Sequence, residues 1–203
     1  MKEFKFNNED HTYWLGNEQL PSVTQIISPL VDYSKCHQGK LEKKRDLGSV
    51  FHECIRLFLN DDLDNDSIDE ELIIPMKQFR EWFEDDEFKG LPSPTLVAIE
   101  KPFYNERLKY AGTPDLITED CIYDFKLRKY NPVIDSLQLA GYAGLVSDFP
   151  SKRKIVVEFS LEAGYRAYNA ERTQAKTMFR TLLNWFYKKK EFETLLQNWR
   201  KAI

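Results

Sequence analysis

The run Cys121-Ile-Tyr-Asp-Phe-Lys126 constrains this chain more than any other stretch. In a β-strand, residues i and i+2 point to the same face. Asp124 and Lys126 therefore emerge together, and Phe125 turns the other way, into a core. Nine residues before Asp124, Gly112-Thr-Pro-Asp115 closes a tight turn with an acid. Asp115 then stands beside the same strand, so two carboxylates and one ammonium converge at one sheet edge. That layout suits a divalent cation, a phosphodiester and an attacking water. Magnesium takes about six oxygen ligands and is usually held by one or two carboxylates plus substrate phosphate. Lys126 is placed to orient or deprotonate the water, or to neutralise charge on a phosphorane-like transition state.

The rest of the pattern sets the fold around this edge. Residues 3–15 alternate about an Asn-Asn-Glu-Asp turn and predict a small β-hairpin. Ser22 is the N-cap of a short helix reaching about Leu30. Residues 39–60 carry Leu47, Phe51, Cys54, Ile55 and Phe58 at helical spacing, and residues 72–88 carry Met76, Phe79, Trp82 and Phe83. Gly90-Leu-Pro-Ser-Pro94 ends the second of these helices. Short β-like runs at 95–104, 107–111, 115–118 and 121–126 predict an antiparallel meander. A helix from Pro132 to about Val146 follows, and Phe149-Pro150 ends it. The strand 155–160 pairs with 165–169 across Glu162-Ala-Gly164, and residues 171–201 are helical. The order predicts an α/β (α+β) fold with a central mixed sheet, in one domain of 203 residues. Within it, a hairpin and helices (about 1–90) precede a core (about 95–170) and C-terminal helices. Gly141 and Gly144, with Ala140 and Ala143, predict close packing of a helix on the sheet.

Charge bears on the partner. The formal net charge is −4, but residues 61–71 hold seven acids and no base, and the remainder carries +3. Basic clusters stand at Lys40/Lys43/Lys44/Arg45, Lys126/Arg128/Lys129, Lys152/Arg153/Lys154 and Lys188/Lys189/Lys190. Local fields, more than net charge, decide where a polyanion docks; an ordinary solvated surface explains the clusters away from Asp124 equally well. Asp62-x-Asp64-x-Asp66 opens like a calcium loop, but Ser67 and Ile73 stand where an EF-hand needs Gly and Glu. It reads as a solvated linker. Three cysteines at wide spacing form neither a disulfide framework nor a zinc site, and they are too few for a four-cysteine iron–sulfur cluster. No apolar signal region opens the chain, and no apolar run approaches roughly 20 residues. The expectation is a soluble cytoplasmic protein with no membrane contact.

Five motifs follow one another in order: Gly48-Ser-Val-Phe-His52, Glu100, Gly112-Thr-Pro-Asp115, Asp124-Phe-Lys126 and Gln138-Leu-Ala-Gly-Tyr142. In this the chain resembles the PD-(D/E)XK nuclease superfamily, in its RecB-like and phage lambda-exonuclease-like branch. The match covers roughly residues 47–145, about half the chain. The resemblance implies a restriction-endonuclease-like sheet flanked by helices and a Mg2+- or Mn2+-dependent DNA nuclease. The implied reaction is hydrolysis at single- or double-stranded DNA ends, as an exonuclease of phage or bacterial recombination and repair. The implied setting is the cytoplasm of a bacterial or phage-infected cell. Partners would include DNA, a single-strand annealing or other recombination protein, and further copies of the chain.

Residue by residue, the resemblance makes Asp115 and Asp124 metal ligands, joined by His52 and the Phe125 carbonyl. Glu100 is the preceding-strand acid that completes the catalytic set with Asp115, Asp124 and Lys126. Gln138 and Tyr142 steady the site and contact the DNA backbone, and Arg128 and Lys129 add nucleic-acid contacts. Plainer readings stand beside these. His52 suits a core histidine, Glu100 an exposed strand charge with Glu106 near it, and Gln138/Tyr142 one packed helix face. Two alternatives for the whole chain remain: a non-catalytic DNA- or protein-binding module on the same fold, and an unrelated α+β protein with chance motif matches.

Overall fold

The computed structural model describes residues 2–31, 38–84, 96–146, 151–162 and 164–201. The first strands are β1 (Phe4–Asn7), β2 (Thr12–Leu15) and β3 (Glu18–Leu20), paired antiparallel in that order. The first two form the predicted hairpin. The third lies beyond it, and three residues are too few to register as alternation. Helix α1 (Val23–Ile27) has Ser22 as its N-cap, as predicted, and a 3-10 turn over Ser28–Leu30 takes the chain to the expected end. The Ser22 side chain accepts from the Gln25 amide while the Gln25 side chain accepts from the Ser22 amide. This reciprocal capping box satisfies donors that a helix start leaves orphaned.

Helices α2 (Gln38–Leu59) and α3 (Glu70–Glu84) lie in one layer. Their apolar stripes are the predicted ones: Phe51 and Ile55 from α2, Met76, Phe79 and Trp82 from α3, all buried. The expected continuation of α3 to 88, its Gly90–Pro94 break and the Phe149-Pro150 stop lie outside the described residues.

Next come β4 (Leu96–Ile99), β5 (Phe103–Asn105), β6 (Tyr110–Gly112), β7 (Leu116–Thr118) and β8 (Cys121–Lys126). Helix α4 (Ile134–Ala143), β9 (Arg153–Phe159), β10 (Tyr165–Asn169) and α5 (Ala175–Lys201) follow. Five strands form the central sheet in the order β10-β9-β8-β7-β4. Strands β8 and β9 are parallel and the other pairs antiparallel, so the sheet is mixed. A parallel pair needs a long crossover, and α4 lies within it.

The predicted meander differs in one respect. Glu100 takes a positive φ of 44° and Pro102 has no N–H to donate, so the run 95–104 breaks there. Strands β5 and β6 leave as a separate antiparallel pair, and β4 pairs directly with β7.

The two faces of the sheet carry separate cores. Leu116, Tyr123, Phe125, Val157 and Phe159 face α2 and α3. Ile117, Ile122 and Val156 face α1, α4 and α5. At Gly141 of α4 side chains of α1 and α5 pack close: a Cβ there would lie 2.6 Å from Phe179 Cε2 and 2.8 Å from Val23 Cγ1. The small residue thus admits neighbouring helices, where the sequence pointed to the sheet. The result is a mixed α/β architecture with helices on both sheet faces.

Candidate functional site

The register of β7 and β8 pairs Leu116 with Tyr123, which sets Asp115 and Asp124 one step further along, facing each other across the strands. Asp115 Oδ2 accepts the Phe125 N–H at 2.6 Å. Its main-chain carbonyl accepts the Glu100 N–H at 3.0 Å. Glu100 sits in the left-handed region, uncommon for a residue with a side chain. Its carboxylate meets α2, where His52 follows the buried Phe51 at the edge of the apolar stripe. His52 Nδ1 lies 3.1 Å from Glu100 Oε1 and 3.4 Å from Asp115 Oδ1. One ligand atom from each of these three residues falls within 4.8 Å of the others.

Asp124 and Lys126 share a face, as strand spacing requires, with Lys126 Nζ 2.7 Å from Asp124 Oδ2. Phe125 points into the opposite core. Asp124 is fully buried, and among the described residues neither of its oxygens accepts a well-formed hydrogen bond. A buried carboxylate with only an ion pair for compensation is costly.

The electrostatics follow from this crowding. Burial opposes a charge on His52, but Asp115 and Glu100 outweigh it and lift its pKa to about 10. Burial raises Glu100 to about 7, against the pull of His52. Asp115 is also pushed up by burial, yet His52, Lys126 and the Phe125 amide hold it below its ordinary value. Burial raises Asp124 to about 6 despite Lys126. Burial works against the Lys126 ammonium, and Asp124 and Asp115 more than restore it. The imidazolium of His52 thus bridges two acids, where a proton does the neutralising work of a cation. The His52 imidazole and the Glu100 and Asp115 carboxylates are donors that could hold a divalent ion, with the buried Asp124 carboxylate beside them paired to Lys126 alone. Such an ion would displace the His52 proton.

The remaining predicted residues divide. Gln138 Nε2 donates to Tyr142 Oη at 3.0 Å, so the pair acts as a unit. Tyr142 is only 5% exposed, and its ring packs so tightly on Gly112 that a Cβ there would lie 2.9 Å from Cε1. Tyr142 therefore walls the site, and the part-exposed Gln138 is the member of the pair that solvent reaches. Arg128 forms a bidentate ion pair with the fully buried Asp135, which also accepts the Asn131 N–H at 2.7 Å. It ties the β8–α4 connection, while Lys129 stands exposed. Several other predicted cations have local partners. Lys43 pairs with Glu71, Lys154 with Glu171 and Lys188 with Glu191, while Lys152 donates to the Thr118 carbonyl.

One wall of the site has no motif to announce it. Tyr13 Oη and Thr113 Oγ1 hydrogen-bond at 2.9 Å across 100 positions of sequence. They adjoin a cavity of about 290 Å³ that also touches His11, Gln25, Gly112 and Tyr142. Thr113 lies inside the Gly-Thr-Pro-Asp turn and was the one available signal; residues 10–25 offer no spacing that links them to it. No membrane-crossing helix, by length and apolar content, occurs among the described residues. No family model matches this chain, and no curated protein matches it.

Proposed function

We propose that this chain is a Mg2+- or Mn2+-dependent DNA nuclease built on a restriction-endonuclease-like core, hydrolysing phosphodiesters at DNA ends. The observation that carries this reading is the fully buried Asp124 carboxylate, compensated among the described residues by Lys126 alone and adjoining the His52/Glu100/Asp115 cluster. The antiparallel β7–β8 pair followed by α4 and the parallel β9 supports the same core. A bound divalent ion supplies Lewis-acid polarisation of the scissile phosphate and a more acidic water.

The chain's own groups do the rest. Asp115, Asp124, His52 and Glu100 would hold the ion. Lys126, kept as an ammonium by two acids, neutralises charge that builds on the phosphoryl oxygens. Gln138 meets the strand backbone, positioned by Tyr142, and Lys129 adds a cation along the approach.

The test is digestion of end-labelled single- and double-stranded DNA with Mg2+, with Mn2+ and with EDTA. The expected result is divalent-dependent release of labelled product, lost in Asp124→Ala and in Lys126→Ala. DNA retention without any product would instead leave a binding module, and full activity in either variant would remove the mechanism.

A further inference from the structure

Helix α4 has a second working side. Gln138 and Tyr142 belong to the candidate site, but Ser136, Ala140 and Ala143, at i, i+4 and i+7, share a different face. That face lines a cavity of about 660 Å³, closed by the β5–β6 turn and by the first turns of α5. Its volume is that of a small-molecule site. The floor is apolar and fixed: Tyr110 Oη donates to the Gly141 carbonyl at 2.9 Å, Asn105 Nδ2 donates to the Gly144 carbonyl at 2.7 Å, and Phe179 packs on Gly141. Small side chains at Ala140, Ala143, Ala170 and Ala175 leave the space open.

Two polar features point to a ligand. Ser136 is 2% exposed, and its Oγ has no hydrogen-bond partner among the described residues. A buried hydroxyl left this way is costly. The rim is strongly cationic: Arg107, Lys176 and Arg180 are exposed and carry no hydrogen bond or ion pair among the described residues, and Arg172 stands beside them. The one acid on the rim, Glu171, is paired with Lys154 at 3.2 Å. The amino end of α5 adds its partial positive charge. Guanidinium groups with an ammonium suit a doubly charged phosphate better than a single carboxylate.

We propose that this cavity binds an organic phosphate monoester, its apolar or heterocyclic body on the Tyr110/Phe179 floor and its phosphate at the Lys176/Arg180 rim. The site is separate from the candidate metal centre, and its occupancy does not depend on DNA cleavage.

Calorimetric titration of the full chain in EDTA tests it, with dAMP, 1-naphthyl phosphate, deoxyadenosine and inorganic phosphate as probes. At least one ester is expected to bind with a Kd below ~1 mM, and deoxyadenosine and inorganic phosphate at least about tenfold more weakly. The exposed double variant Lys176→Glu/Arg180→Glu, shown folded by circular dichroism, is expected to weaken the ester by at least about tenfold. Absence of binding by both esters, or unchanged affinity in the double variant, overturns the site. Equal binding of inorganic phosphate overturns the role of the apolar floor.

Discussion

Asp115 accepts the main-chain N–H of Phe125, and so one acid is fastened to the strand that carries the other acid and the lysine. The bond fixes Asp115 Oδ2 and leaves Oδ1 facing His52. The carboxylate's orientation is thereby set by the protein itself.

Asp124→Asn keeps the shape and removes the charge. On the proposed function, Mn2+ is expected to raise the melting temperature of the parent protein, and the variant is expected to lose that rise and to cleave at least ~100-fold more slowly. Differential scanning fluorimetry with and without EDTA, beside the labelled-DNA assay, checks both halves.

The metal-free protein should lose stability as pH climbs from about 5 to 10. Glu100 has a folded-state value of about 7, above its ordinary 4.5, so its contribution declines as pH rises through that window. His52 is raised from 6.5 to about 10, so its contribution is complete below 6.5 and is lost as pH rises through 10. On the proposed function, saturating Mn2+ would replace the bridging proton and should flatten the profile, with protons released on binding. Urea midpoints measured from pH 5 to 10 in EDTA and in Mn2+ check it. His52→Gln should remove the alkaline arm.

Two glycines should answer oppositely to alanine. At Gly141 the new Cβ meets Phe179 and Val23, and a loss of ~1–3 kcal/mol is expected from overpacking. At Gly48, inside α2, nothing lies within 4 Å, and a gain of up to about 1 kcal/mol follows from helix propensity. Chemical denaturation of both variants separates the two.

Arg128 and Lys129 are adjacent but differ in kind. Arg128→Ala strands the buried Asp135 and should cost ~1–3 kcal/mol of stability, because its guanidinium is half-exposed and the pair only partly desolvated. Lys129→Ala should leave stability within about 0.5 kcal/mol and reduce the salt dependence of DNA binding by about one unit of slope. Denaturation curves and a salt titration with labelled DNA distinguish them.

The legible parts of this molecule were those with short-range signatures. Strand alternation located β8 and assigned the opposite faces of Asp124 and Phe125, helical spacing picked the inward residues of α2 and α3, and the Ser22 cap gave the start of α1. The coming together of His52, Glu100 and Asp115 was reached only by resemblance, because no local rule links a helix residue to a turn 48 positions away. The break at Glu100 escaped for a related reason: a positive φ at a glutamate carries no composition signal. The pairing of Arg128 with Asp135, seven residues on, was not legible, because the burial of Asp135 depends on how α4 docks.

The Tyr13–Thr113 contact has a consequence for biosynthesis. Strand β2 cannot complete the wall it belongs to until a hundred further residues have left the ribosome, several seconds at ordinary elongation rates. During that interval Tyr13, Leu15 and Leu20 lack the Ala111 surface that later covers them. The nascent chain must keep this small apolar sheet from straying, and slowing translation before Thr113 would lengthen its exposure.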